Sequence, residues 1–258
     1  MICASNRTAS SPFANCTEHR PGGAALRAVP PGRCYSNRMS ISLVIFDLDG
    51  TLIDSARDLA HAVNGMLAGY GCQPLALSEV RAMIGDGMRK LVERALAARG
   101  LATGEAAAAE HSVLQRYGAE PVRETVLYPG ARAALERLHA AALDLAICTN
   151  KPEHLTAAIL NQLDLADFFR SVVGGDTLPY RKPDGRVLRD MLTHFSAAPP
   201  DALMVGDSEV DGAAAANAGV PLVLMRNGYR RGLIEHIPHL AAIESLQELP
   251  ALIDSLQR

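Results

Sequence analysis

Four short clusters of acids, hydroxyls and lysine carry the chemical interest of this 258-residue chain. In chain order they are Asp47-Leu48-Asp49-Gly50-Thr51, Thr149-Asn150, Lys182-Pro183, and Gly206-Asp207-Ser208 followed by Asp211. Two carboxylates one residue apart, just past an apolar run, repel each other unless a divalent cation or a held proton relieves the charge. Gly50 permits a turn that aims backbone amides at an anion. Taken alone, Asp47 and Asp49 also fit a solvated Asx turn before a helix capped at Asp54 or Ser55. Thr149 could donate to a phosphate oxygen or close a turn. Lys182 could be a fixed positive charge or a solvated loop lysine. Asp207 and Asp211 fit helix-start acids favoured by the macrodipole. Gathered at one edge, the same groups fit a Mg²⁺-assisted phosphoryl-transfer site.

The elements that must position them follow from hydropathy. Short apolar runs predict strands at 42–46, 144–148, 171–173, 202–205 and 221–225. Helical patterns follow at 131–142, 153–162, 186–195 and 210–218. Strands alternating with helices predict an α/β fold, a doubly wound and mainly parallel sheet whose ligands bind beyond the strands' carboxyl ends. All four clusters fall at such ends. Residues 55–125 break the alternation with helical patterns at 56–68, 78–83, 88–98 and 105–117, and no convincing strand. This stretch reads as an inserted helical cap domain, with 39–54 and 126–258 forming the core.

In that order and spacing, the four clusters resemble the motifs of the haloacid-dehalogenase-like phosphohydrolases, over essentially all of residues 41–230. Further stretches are similar to the phosphoglycolate phosphatase family: Thr51-Leu52-Ile53-Asp54-Ser55, Ile84-Gly85-Asp86-Gly87, Val92-Glu93-Arg94-Ala95-Leu96, Thr149-Asn150-Lys151-Pro152 and Gly174-Gly175-Asp176. The resemblance implies a nucleophile at Asp47, which would form an aspartyl-phosphate, and an acid/base at Asp49. It implies Mg²⁺ held by the Asp47 carboxylate, the Asp49 carbonyl and Asp207, with Ser208 and Asp211 beside them. Thr149, the Asn150 amide, Lys182 and the Gly50 turn would hold phosphoryl oxygens. Leaving-group choice would fall to the cap, where Asp86, Gly87 and Arg89 are candidate substrate contacts, with Lys90 beside them. Asp86 could equally cap an ordinary helix–helix turn. The implied substrate is a small phosphorylated metabolite, first 2-phosphoglycolate. Pyrophosphate, a sugar phosphate or a sugar-phosphate mutase reaction are the alternatives. A phospho-accepting receiver-like module is the non-enzymatic rival, weakened by the long helical insert and by the acid at Asp49.

Composition narrows the class further. With 25 basic against 28 acidic residues, the chain lacks the basic surplus of a general nucleic-acid binder. No apolar run approaches the roughly 18–20 residues that span a bilayer. Residues 1–38 hold five Arg, one Glu and three of the five Cys. They read as a disordered extension, a misassigned start with translation beginning at Met39, or a transit-like segment. Without a C-x-x-C pair or a dense Cys framework, a reducing, cytoplasmic setting is expected. Either a monomer or a homodimer is compatible with the sequence.

Overall fold

A computed structural model describes residues 39–258, so the readings of residues 1–38 lie outside the described residues. The strands are β1 (Leu43–Phe46), β2 (Ile53–Asp54), β3 (Val126–Leu127), β4 (Asp144–Cys148), β5 (Ser171–Val173), β6 (Ala202–Gly206), β7 (Leu222–Met225) and β8 (Ala241–Ile243). The helices are α1 (Ala56–Gly69), α2 (Leu77–Arg81), α3 (Met88–Ala98), α4 (Ala106–Ala119), α5 (Ala131–Ala140), α6 (Glu153–Gln162), α7 (Arg186–His194), α8 (Glu209–Ala218) and α9 (Leu249–Leu256).

Six strands form one sheet in the order β5-β4-β1-β6-β7-β8, and every neighbouring pair is parallel. The central strand shows why. Leu43-Val44-Ile45-Phe46 is apolar at every position and buried throughout, as a strand covered on both faces requires. Val44 and Phe46 enter the core shared with α5, α9 and the helical block, whereas Leu43 and Ile45 enter the core under α7 and α8. Phe46 stands opposite Ile147 on one side and Val205 on the other. Three strands therefore end at nearly the same level, and Asp47, Thr149 and Asp207 emerge side by side.

Between β2 and β3 the chain is helical. Helix α4 packs against α1 and α3, and α1 against α2. The apolar face of α3 (Leu91, Val92, Ala95, Leu96) is fully buried, as its 3.6-residue period predicts. The block enters and leaves through a small antiparallel ribbon in which Ile53 pairs with Leu127 and Asp54 with Val126. Buried Asp58 on α1 secures the return, accepting from the amides of Glu124 and Thr125 and from the Thr125 hydroxyl.

Several boundaries differ from expectation for local reasons. Helix α5 ends at Ala140, because the chain turns through Ala142 at φ +56°. Helix α7 stops at His194, ahead of Ser196 at φ +53°. The ribbon strands have two residues each and β8 has three, too few to show an alternating pattern. Helix α9, with Pro250 in its first turn, lies beyond the last predicted element. No helix among the described residues is long and apolar enough to cross a membrane.

Candidate active site

The floor of the site is built by the strand ends. Asp47 continues β1, its amide donating to Val205 O at 2.9 Å. Its side chain is buried, and Lys182 Nζ lies 2.9 Å from Oδ1. The ammonium pairs with this carboxylate and pulls its pKa down. Lys182 Nζ also donates to Asp211 Oδ1 at 2.6 Å. The other Asp211 oxygen accepts from the Asp207 and Ser208 amides (3.2 and 3.1 Å) and from Ser208 Oγ at 2.7 Å. Asp211 thus fixes Lys182 and the first turn of α8 at once. The favourable end of the helix macrodipole adds to its stabilisation.

Asp207 is held just as closely. Thr51 Oγ1 donates to Oδ1 at 3.1 Å, and the Tyr229 amide donates to Oδ2 at 2.6 Å. Gly50 lies against this carboxylate at φ +91°, where a Cβ would come 2.5 Å from Asp207 Oδ2. Only glycine tolerates both the backbone angle and the approach.

Charge is concentrated here. Burial pushes the Asp47 carboxyl up to about 6, with Lys182 pulling it down and Asp211 adding to the rise. Burial, then Asp211 and Asp47, push Asp207 well above the ordinary carboxylate range. Burial opposes the Lys182 charge, but Asp211 and Asp47 outweigh it and raise its pKa. One oxygen each of Asp47, Asp207 and Asp211 lie within 4.8 Å of one another. Hard carboxylate donors and three buried acids against one lysine fit a Mg²⁺-type cation. Asp211 already serves Lys182 and α8, which leaves Asp47 and Asp207 as the better ligands.

Asp49 faces the other way. Its carboxylate accepts from Ser55 Oγ at 2.5 Å and pairs with Lys151 Nζ at 3.1 Å. Lys151 is buried and donates to Tyr117 Oη on α4 at 2.6 Å. Burial disfavours its charge, but Asp49 and Tyr117 more than compensate and raise its pKa. Burial pushes the Tyr117 phenol up to about 12.

A small cavity of about 40 Å³ separates these groups from the helical block. Asp47, Asp49, Thr149, Asn150 and Lys151 line one side, and Leu59, Ile84, Gly85, Gly87, Met88 and Leu91 the other. Asn150 Nδ2 donates to Gly85 O and to Lys182 O, both at 3.0 Å, and so ties the 84–87 loop to the floor. The Thr149 hydroxyl accepts from the Lys151 amide at 3.3 Å.

Two expected substrate contacts stand elsewhere. Arg89 does not line the cavity. Helix α3 begins at Met88 and turns Arg89 toward Glu110 on α4, with 2.6 Å between Nε and Oε2. Lys90 likewise pairs with Glu93. Asp86 neither caps α3, where Gly87 holds the N-cap position, nor lines the cavity. It joins Arg94 of the block to Arg231 of the core, accepting from Arg231 Nη1 at 2.7 Å. Gly87 does reach the cavity.

Sequence reasoning gave no role to Lys151, Tyr117 or Tyr229. Lys151 adjoins Asn150, so its place beyond β4 was legible, but its partners were not. Tyr229 carried no local signal. It reaches the site from the segment after β7, and its hydroxyl accepts from the Ser55 and Ala56 amides (2.8 and 3.1 Å) where α1 begins.

Fold and site together define a phosphatase of the doubly wound α/β class. Residues 44–225 match the family model described as haloacid dehalogenase-like hydrolase. A phosphoglycolate phosphatase of Cereibacter sphaeroides is 42% identical over 215 residues, covering 83% of this chain and 98% of that protein. One of Rhodospirillum rubrum is 43% identical over 214 residues, covering 80% and 88%. The crystal structure of a predicted phosphoglycolate phosphatase from Haemophilus somnus superposes with a TM-score of 0.80 at 28% identity, covering 84% of this chain and 99% of that one. The chain belongs to the haloacid dehalogenase-like hydrolases and, within them, to the phosphoglycolate phosphatase family.

Proposed function

We propose that the protein is a Mg²⁺-dependent phosphomonoesterase that converts 2-phosphoglycolate to glycolate and phosphate through an aspartyl-phosphate. The observation that carries the reading is the buried Asp47 carboxylate at the end of β1, paired with Lys182 at 2.9 Å and set beside oxygens of Asp207 and Asp211. Lys182 favours the ionised form that the attack requires. The 42%-identical relatives named for this activity support the substrate.

In the first step an Asp47 oxygen forms a bond to phosphorus while the bond from phosphorus to the glycolate oxygen breaks. Asp49 gives that oxygen a proton as it leaves. In the second step Asp49 takes a proton from a water molecule, whose oxygen attacks phosphorus and releases Asp47. Lys182, Thr149 and the amides near Asn150 offset the charge on the phosphoryl oxygens. A divalent cation held by Asp47, the Asp49 carbonyl and Asp207 would neutralise phosphoryl charge and make phosphorus more electrophilic. Residues 55–125 act as a cap that excludes water until the leaving group has gone.

The cavity favours a short leaving group. At about 40 Å³ it gives a two-carbon leaving group more nearly the room it needs than a sugar ring. The substrate is a small metabolite of the cytoplasm. A Mg²⁺-dependent panel of 2-phosphoglycolate, pyrophosphate, glucose phosphates and nucleoside monophosphates tests the reading. The expected result is a kcat/KM for 2-phosphoglycolate at least about tenfold above the rest, the order that one matched polar contact supplies. A preference for any other member overturns the substrate. Loss of turnover without Mg²⁺ is expected, and full activity in a chelator overturns the metal.

A further inference from the structure

Asp49 Oδ1 has two partners, and they come from different parts of the molecule. Ser55 lies at the start of α1, and Lys151 lies beyond β4. The Lys151 side chain is only 2% exposed. Its ammonium sits 4.3 Å from the centroid of the Tyr117 ring and donates to the Tyr117 hydroxyl. Tyr117 is itself fully buried, near the end of α4 in the helical block. The chain of contact runs from the helical block, through Tyr117 and Lys151, to the carboxylate assigned the proton transfer.

A buried ammonium needs partners, because taking it from water is costly unless charge and hydrogen bonds compensate. Here Asp49, the phenol oxygen and the ring face supply that compensation, and two of the three come from Tyr117. If the block lifts from the sheet, Lys151 loses both. Its four-carbon chain then regains rotamer freedom, and only the charge of Asp49 itself still holds the ammonium.

We infer that Lys151, clamped by Tyr117, is a positioning residue that aligns the Asp49 carboxyl for proton transfer only while the helical block is docked. The inference rests on the proposed reading of Asp49 as proton donor. It adds that alignment of the donor and closure of the site are one event. A substrate bound under an open block would meet the nucleophile without an aligned acid.

The test uses leaving groups of different basicity. An ethoxide leaving group requires a proton, whereas a p-nitrophenolate departs without one. The ratio of kcat/KM for ethyl phosphate to that for p-nitrophenyl phosphate therefore reads the acid. In the Mg²⁺-loaded full chain, Lys151→Met is expected to lower this ratio by at least about tenfold, within the range that a positioned general acid supplies. Tyr117→Phe keeps the ring but not the hydroxyl and is expected to lower it by about threefold, in line with one hydrogen bond. Lys151→Arg is expected to recover part of the ratio. If Lys151→Met fails to fold, Tyr117→Phe carries the test.

Equal losses on both esters would make the role merely structural and overturn the inference. A loss confined to 2-phosphoglycolate would mean that Lys151 binds the substrate carboxylate, which also overturns it. Asp49→Asn separates the two layers. If that variant shows no leaving-group dependence, the acid assignment falls and takes the inference with it. If it does and the Lys151 variants do not, the inference alone fails.

Discussion

Lys182 Nζ stands between two buried carboxylates, 2.6 Å from Asp211 Oδ1 and 2.9 Å from Asp47 Oδ1. The shorter contact is the one to Asp211, not the one to the residue assigned the attack. Asp211 therefore holds the lysine at a fixed distance from the Asp47 carboxylate. Replacing Asp211 by Asn keeps the volume and one acceptor for the α8 amides but removes the counter-charge. The expected result is a fall in kcat/KM of about 10–100-fold, typical of a lost supporting contact. Breaking a buried pair also costs about 3 kcal/mol. Steady-state kinetics and thermal unfolding check both, and a variant within twofold of wild type with unchanged Tm would refute this role.

Asp47 itself predicts a stability effect whose sign is opposite to that of most carboxylates. Burial raises its pKa from 3.8 to about 6, so the folded state binds this proton more tightly than the unfolded state. Stability from this group is greatest when it is protonated. It falls as pH rises from about 4 to 6 and stays low above that window. In chelator, Asp47→Asn should therefore unfold at a higher temperature than wild type at pH 7.5, with the difference closing toward pH 4. Added Mg²⁺ should raise the wild-type Tm and narrow the gap. Hydrolysis in the variant should be abolished. An Asp47→Asn Tm below wild type at pH 7.5 in chelator would contradict this reading of the buried charge.

How much of this was legible in the sequence depends on how local each cause is. A continuous apolar run such as Leu43-Val44-Ile45-Phe46 declares a buried parallel strand, and the acids that follow declare a site at its end. Both signals lie within a few residues. The partners of Lys151 and Tyr229 do not: Lys151 meets Tyr117 across 34 positions, and Tyr229 meets Asp54 across 175. Nothing in the flanking residues encodes such contacts; they exist only once distant segments have packed together. Arg89 shows the same limit. Its charge beside the Gly85-Asp86-Gly87 turn suggested an anion contact, but helix phase, set by the buried face of α3, sends it to Glu110.

The Asp86 bridge gives a prediction with its own pH signature. Asp86 belongs to the helical block, and Arg231 follows β7 on the core side, so their contact ties the block to the core. Burial alone would raise the Asp86 carboxyl, but hydrogen bonds from Arg231 and then Arg94 outweigh it and hold it below the ordinary 3.8. For a lowered acid the linkage runs the usual way. The contribution is complete above the unfolded value and is lost as pH falls through the lower, folded one. The bridge is partly exposed and screened, so its contribution is at most about 1 kcal/mol. Arg231→Met should thus lower Tm slightly and by a constant amount from pH 8 to about 5, where the carboxyl is ionised in both states. The difference should shrink as pH drops below 3.8. Because the bridge favours the docked block, KM should also rise, by at most about fivefold, with kcat little changed. A Tm difference that grows on acidification would show that Arg231 stabilises the protein through some contact other than Asp86.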